Sequence, residues 1–256
     1  AQAHHLSDVK LPVLACLEFH LIHLFDDLLK RSELQPEAAA IASADGKTLL
    51  TYSELLGSSE SATAWLRAKG IRSGDCLALG LSPQTGLHGV FVLAALRGGV
   101  RVASLGNRPG AEWSALEKLA PRALAAQVEP LPDIPETDPL VVSAADLRGF
   151  RRARRVIGLP ALADVSSAAC LVLFAGANGP PGALILPMNR LVPRLRDLAA
   201  RLRLGPGRKL AIVLPASAAL ALELKLACWL AGGCVVLPAT DAQLQLFLQS
   251  GNDDVA

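Results

Sequence analysis

Short strand-like apolar runs alternate along this chain with stretches long enough to form helices. The strand-like runs are Cys76–Leu81, Val100–Leu105, Ala123–Val128, Leu171–Phe174, Leu184–Pro187, Leu210–Leu214 and Cys234–Leu237. The helical stretches are Leu21–Arg31, Ser53–Lys69, Gly86–Arg97, Glu112–Leu119, Met188–Leu202 and Ala216–Leu230. Parallel strands need a long crossover between them, and a helix usually forms it. The alternation therefore predicts an α/β fold with a largely parallel sheet covered by helices on both faces.

The composition narrows the class of protein further. Hydrophobic residues make up 52% of the 256 residues and aromatic residues only 4%, so leucine, alanine and valine must build the core. The net charge is +2, and the basic run Arg151–Arg155 contains no aromatic residue that could stack on a base, so no nucleic-acid partner is expected. The five cysteines are scattered without a C-x-x-C pair, which favours a reducing, cytoplasmic location.

The segment Leu210–Ala239 is almost continuously apolar and raises the question of a membrane span. Glu223 and Lys225 lie in its middle, and Pro215 and Gly232 divide it. Each resulting piece is too short to cross about 30 Å of hydrocarbon. The segment is therefore predicted to form a strand, a helix and a second strand, with no membrane partner.

Several ordered segments carry a resemblance to a known family. They are Leu24-Phe25 with Gln35–Ile41, then Leu50–Leu55, Gly70–Leu79, and Leu96–Val100 followed by Asn107–Gly110. In this order and spacing they resemble the amino-terminal half of an adenylation domain, the adenylate-forming (AMP-binding, ANL superfamily) domain of nonribosomal peptide synthetases. The resemblance implies a layered αβαβα core, truncated, with the carboxy-terminal domain absent.

In that family a flexible loop of the type [ST]-G-[ST]-[ST]-G-x-P-K-G holds the phosphates of ATP with hydroxyls, backbone N–H groups and a lysine. The residues that stand at this loop are Ala175, Gly176, Ala177, Asn178, Gly179, Pro180, Pro181, Gly182 and Ala183. Both loop glycines remain, but Ala175 and Ala177 replace hydroxyls and Gly182 replaces the lysine. The two prolines fix φ and remove N–H donors. The resemblance therefore implies a vestigial phosphate loop.

A second position gives an independent comparison. Members of the family that activate amino acids use an aspartate to pair with the substrate's ammonium group, and Ala219 occupies that position here. Alanine cannot pair with a cation. The family's later motifs, its ribose-binding aspartate and its catalytic lysine, would lie beyond Ala256. No functional catalytic or cofactor-binding residue is expected, and no cofactor.

The resemblance also implies how the chain is divided into a linker and two lobes. Residues 1–20 are expected to be a linker or a disordered start, residues 71–204 a first α/β lobe, and residues 21–70 with 205–256 an incomplete second lobe. An exposed edge of that second lobe would be covered by self-association, by a neighbouring domain or by the segment Asp241–Gln249.

Other chemistries find little support in the sequence. There is no G-x-S-x-G pentapeptide for a hydrolase and no G-x-G-x-x-G for a dinucleotide. His20 and His23 lie three apart near Asp26 and Asp27, but packed or surface histidines are favoured over a metal site. No metal is expected.

The first hypothesis is a catalytically inactive partial adenylation domain, a pseudoenzyme of antibiotic or secondary metabolite biosynthesis. It would be a scaffold for condensation and peptidyl-carrier domains, with the carrier loaded in trans. The alternative is a split or divergent adenylating enzyme that uses ATP and Mg²⁺ and needs a second chain. A third hypothesis, a free-standing binder of a small ligand, stays open.

Overall fold

The computed structural model describes residues 24–81, 86–105, 119–126, 140–142, 169–175, 182–213 and 219–237. The helices of this part are 24–34 (α1), Tyr52–Ala68 (α2), Leu87–Arg97 (α3), Met188–Arg201 (α4) and Ala219–Ala231 (α5). The strands are Ala39–Ser43 (β1), Thr48–Thr51 (β2), Cys76–Gly80 (β3), Arg101–Ser104 (β4), Ala123–Ala126 (β5), Leu140–Val142 (β6), Cys170–Ala175 (β7), Gly182–Pro187 (β8), Lys209–Ala211 (β9) and Cys234–Leu237 (β10).

The strands form two sheets. The larger has the order β6-β5-β3-β4-β7-β8, and all its neighbouring strands are parallel except β7 and β8. The smaller has the order β2-β1-β10-β9, with only the β1 and β2 pair antiparallel. The predicted largely parallel α/β architecture is confirmed, and each sheet carries one antiparallel strand at an edge. The predicted division into lobes stays a prediction.

Two apolar helices lie between the sheets. Every residue of α3 is buried, and α3 contacts β3 and β4 of the larger sheet. Helix α5 contacts β10 of the smaller sheet and β7 of the larger one. A helix that is apolar on all sides needs such a two-sided environment, because no face of it is suited to water. Leucine, alanine and valine make up most of both helices.

Trp229 of α5 contacts both β1 and α3. Its ring nitrogen donates a hydrogen bond of 2.9 Å to the carbonyl of Ala40 in β1. On the other side the ring packs against Gly89 of α3, where the absence of a side chain lets the helices approach. Nearby, the Tyr52 hydroxyl donates 2.7 Å to the carbonyl of Gly233, which ties α2 to the start of β10.

Local sequence signals explain where α2 begins. The Thr51 hydroxyl accepts a hydrogen bond of 3.2 Å from the backbone N–H of Glu54, and the Glu54 carboxylate accepts one of 3.0 Å from the N–H of Thr51. This reciprocal capping box satisfies two donors that the first turn would otherwise leave unpaired. Thr51 is therefore the N-cap residue of α2.

The segment from Leu210 to Ala239 contains β9, α5 and β10, so the predicted strand, helix and strand are confirmed. Among the helices of the described ranges, none is long and apolar enough to span a bilayer. Strand β6 was not predicted, and the described part of α1 continues to residue 34, beyond the predicted end at Arg31. The predicted helix Glu112–Leu119 lies almost entirely outside the described residues.

The close approach at Gly89 gives a test of the central layer. Alanine normally stabilises a helix interior relative to glycine, but a Cβ on Gly89 would overlap the Trp229 ring. We expect Gly89→Ala to lower the free energy of unfolding by about 1 to 3 kcal/mol, as over-packing does, measured by urea denaturation. Gly205→Ala is the matched control, because a Cβ there meets nothing within 4 Å; equal effects in the two variants would contradict the packing.

Candidate functional site

Two of the positions predicted for the phosphate loop, Ala175 and Gly182, lie on paired strands. Strands β7 and β8 are antiparallel, and their last paired residues are Ala175 and Gly182. The structure thus places two of the predicted positions opposite each other, at the carboxyl end of a strand in a mainly parallel sheet. Ligands of open α/β sheets bind outside such strand ends. The predictions for Gly176, Ala177, Asn178 and Gly179 lie outside the described residues.

The chemistry of these positions follows from their side chains. Ala175 and Gly182 carry no side-chain hydrogen-bond donor and no charge. Pro180 and Pro181 have no N–H group to offer an oxyanion. Binding of a triphosphate needs several such donors and usually a cation. These four residue types supply no cation and no donors other than two backbone N–H groups.

The other predicted position, Ala219, is the first residue of α5. One turn further on, the carboxylate of Glu223 accepts a hydrogen bond of 2.8 Å from Nε of Arg194 in α4. The Glu223 side chain is 3% exposed and that of Arg194 62% exposed, so the pair joins the buried layer to the surface. Glu223, the acidic residue nearest to Ala219 in sequence, is thus already engaged by a cation of the protein.

The structure brings together a buried polar cluster that sequence reasoning missed. His88 of α3 and Ser104, the last residue of β4, are both buried, and Nε2 of His88 lies 2.8 Å from the Ser104 hydroxyl oxygen. The other ring nitrogen, Nδ1, is buried without a hydrogen-bond partner. Burial holds the pKa of His88 well below its ordinary value, and the positive charge of Lys225 lowers it further.

Lys225 of α5 is a second buried ionisable residue of the layer between the sheets. Only 3% of its surface is exposed, and burial lowers the pKa of its ammonium group to about 8. Sequence reasoning used Lys225 only to argue against a membrane span. A lysine in an otherwise apolar helical segment is the signal that could have identified it, because its ammonium group must either reach water or be stabilised inside the protein.

A groove of about 520 Å³ lies elsewhere, on the face of the smaller sheet that points away from the shared helices. Its lining is made mostly of small residues, with Lys209 and Asp45 the charged ones. None of the predicted site residues lines it, and neither do His88 or Lys225. The groove is therefore separate from both the hairpin end and the buried cluster.

Comparison of the whole architecture with solved structures decides what the fold is. The chain resembles VinN in complex with 3-methylaspartate, with 23% identity, a TM-score of 0.67, and coverage of 87% of this chain and 63% of VinN. It resembles the amino-terminal subdomain of NpsA from Klebsiella oxytoca bound to 3-hydroxybenzoyl-AMSN, with 21% identity, a TM-score of 0.68, and coverage of 90% of this chain and 58% of that one.

A third match is o-succinylbenzoate CoA synthetase (MenE) from Bacillus subtilis in complex with the acyl-adenylate intermediate OSB-AMP. It has 20% identity and a TM-score of 0.68, over 89% of this chain and 46% of MenE. The chain has the fold of the amino-terminal part of adenylate-forming enzymes. It spans less than two thirds of each of these proteins. No protein-family model and no curated protein matches the sequence.

The buried imidazole predicts a dependence of stability on pH. In the unfolded chain His88 takes up a proton as the pH falls through about 6.5, whereas in the folded chain its lowered pKa keeps it neutral. The unfolded state then binds more protons, so stability falls toward acid by up to about 1.4 kcal/mol per pH unit from this group. We expect urea unfolding at pH 7.5, 6.5 and 5.5 to show a smaller loss in His88→Gln than in the wild type. If the free energy of unfolding depended on pH identically in the wild type and in His88→Gln, the burial of a neutral His88 would be contradicted.

Proposed function

We propose that this chain is a non-adenylating adenylation domain that has kept the fold as a scaffold. The observation that carries the proposal is the hairpin end, where Ala175, Ala177 and Gly182 stand in place of two hydroxyls and a lysine. Ala219 supports it at a second position, because an alanine there offers no partner for a substrate ammonium group. Both changes remove polar contacts while the backbone elements that would carry them, β7, β8 and α5, are present.

The energetic consequence is large. A hydrogen bond to a charged group contributes about 1.5 to 3 kcal/mol, and each 1.4 kcal/mol changes a dissociation constant tenfold. Removal of a lysine and two hydroxyls therefore weakens nucleotide binding by several powers of ten.

The scaffold role is supported by apolar surface at the rim of the smaller sheet. Within the described ranges β9 is an edge strand of this sheet. Val213, just after β9, is 61% exposed, and Leu220, near the start of α5, is 48% exposed. Unpaired strand edges flanked by apolar side chains are suited to a protein partner. We propose that condensation and carrier domains of a peptide synthetase dock here, with the carrier loaded in trans.

Calorimetry with ATP and AMP, together with acid-dependent ATP–pyrophosphate exchange, tests the loss of activity. For the wild type we expect no dissociation constant for ATP or AMP below about 1 mM. We also expect no ATP–pyrophosphate exchange above background. A variant with Ala175→Thr, Ala177→Ser and Gly182→Lys returns the missing donors and should bind ATP at least about tenfold more tightly. Micromolar binding or exchange by the wild type would refute the proposal and support a split or divergent adenylating enzyme.

Docking is tested with tagged wild type and a Val213→Glu, Leu220→Lys double variant, recovered from producing cells. We expect mass spectrometry to identify a condensation or carrier domain with the wild type and to find it depleted with the variant. The variant changes only exposed side chains, so its melting temperature should match that of the wild type and serve as the control. Equal recovery in both, or no such domain in either, would overturn the docking surface.

A further inference from the structure

The outer face of the smaller sheet, which points away from the shared helices, is apolar. Strands β1, β10 and β9 are parallel neighbours, and parallel strands are normally buried on both faces. Helix α5 contacts β10 from the inner side. The outer face forms the floor of the groove of about 520 Å³, where the side chains are those of Ala42, Ala44, Cys234 and Val236. A face of this composition is suited to packing against another element rather than to water.

The described helices do not supply that element. Within the described ranges, Ala44 and Val236 form an apolar cluster with Ala211 of the same sheet, and no helix residue belongs to it. Yet Val236 is only 1% exposed and Cys234 8% exposed. A valine on a bare sheet face would be far more accessible to water. The cover of the outer face is therefore to be sought outside the described ranges.

The end of β10 brings one such part of the chain to the groove. Leu237, the last residue of β10, pairs with Ser43 of β1. Ser43 and Asp45 line the groove at this end, and Val236 belongs to its floor. The chain that follows Leu237 therefore leaves the sheet at the rim of the groove.

The sequence after this point has the spacing of an amphipathic helix. Leu244, Phe247 and Leu248 are three and four residues apart, which places three apolar side chains on one helix face. Asp241 is a residue type that favours the start of a helix, and Gly251 is one that favours its end. A helix between these two residues is roughly 15 Å long, and a strand of four residues such as β10 is roughly 13 Å long. The two lengths match.

The charges at the two ends of the groove also match such a helix. Asp45 lies where β10 ends, and the hydrogen bond from the Ser43 hydroxyl lowers the pKa of its carboxyl group. Lys209 pairs with Cys234 at the opposite end of the groove. A helix that starts at the end of β10 and runs back along it directs its positive amino end toward Asp45 and its negative carboxyl end toward Lys209.

We propose that residues 241–250 pack as a helix in this groove, with Leu244, Phe247 and Leu248 against its floor. Bound in this way, the segment closes the outer face of the smaller sheet to other proteins. A docking domain is left with the strand edge at β9. The packing does not rest on the proposed loss of adenylation, because it uses none of the positions compared with the phosphate loop.

A disulfide to Cys234 tests the packing in the full-length chain. Six residues along a helix from Asp241 advance about 9 Å, and the three steps from Leu237 back to Cys234 cover about 10 Å. Position 247 then lies over Cys234. In Phe247→Cys we expect diamide to oxidise the new thiol and that of Cys234 to a disulfide, which peptide mapping by mass spectrometry identifies.

Gln249→Cys is the matched control for this cross-link. On a helix, positions 247 and 249 point in different directions, so Gln249→Cys should keep both thiols reduced. In an extended segment the two positions lie on one face and would cross-link equally. Equal cross-linking of the two variants, or no cross-link in either, would overturn the proposal.

The reactivity of Cys234 gives a second measurement. Burial raises the pKa of its thiol to about 11, and a buried thiol reacts slowly. We expect Phe247→Asp to raise the rate of alkylation of Cys234 by iodoacetamide at least about tenfold, and Gln249→Asp to keep the wild-type rate. Cys76 and Cys170, which are buried in the larger sheet, should stay unmodified and so show that the fold is intact.

Two results of the alkylation experiment would refute the proposal. One is an unchanged rate at Cys234 in Phe247→Asp, because the cover of the groove would then not depend on this segment. The other is a wild-type rate that falls as the protein concentration rises, because a second copy of the chain would then cover the face.

Discussion

The fold depends on one packing constraint, which is that two sheets share a single layer of apolar helices. Helix α3 is buried on every side, and α5 contacts strands of both sheets and is mostly buried apart from Leu220 near its start. Trp229 shows how tight the layer is, because its ring nitrogen bonds to β1 while its ring contacts Gly89 of α3. Each sheet is held in place by helices that the other sheet also needs. The two sheets therefore form one cooperative unit through this layer.

That constraint also explains why the polar residues of the layer are informative. In a layer of leucine, alanine and valine, a histidine or lysine raises the free energy of folding unless something pairs with it. Glu223 avoids this cost because its carboxylate pairs with Arg194, an exposed residue of α4. Nδ1 of His88 has no hydrogen-bond partner among the described residues. Lys225 is 3% exposed, and burial lowers the pKa of its ammonium group to about 8.

Those parts of the fold that depend on nearby residues could be predicted from the sequence. The start of α2 follows from Thr51 and Glu54, three residues apart, and the split of the apolar segment after Leu210 follows from its charges and glycines. Sheet order could not be predicted in this way, because β3 lies between β4 and β5 through pairings that no local pattern encodes. Strand β6 was missed since three residues after a proline-rich stretch carry too little signal.

The candidate sites show the same difference between features set by neighbouring residues and features set by residues far apart in the sequence. The positions of the predicted phosphate loop could be proposed from the sequence, because they are consecutive and a resemblance supplied the residues to compare them with. The buried cluster could not, because His88 and Ser104 come from two different elements and meet only when the helices are packed between the sheets.

The hairpin end and the buried cluster also differ in how freely their residues can change. A substitution at the end of β7 or the start of β8 lies outside the layer of shared helices, so the fold does not depend on the chemistry of those positions. Lys225 is 3% exposed within α5, so a change there affects the stability of the whole layer.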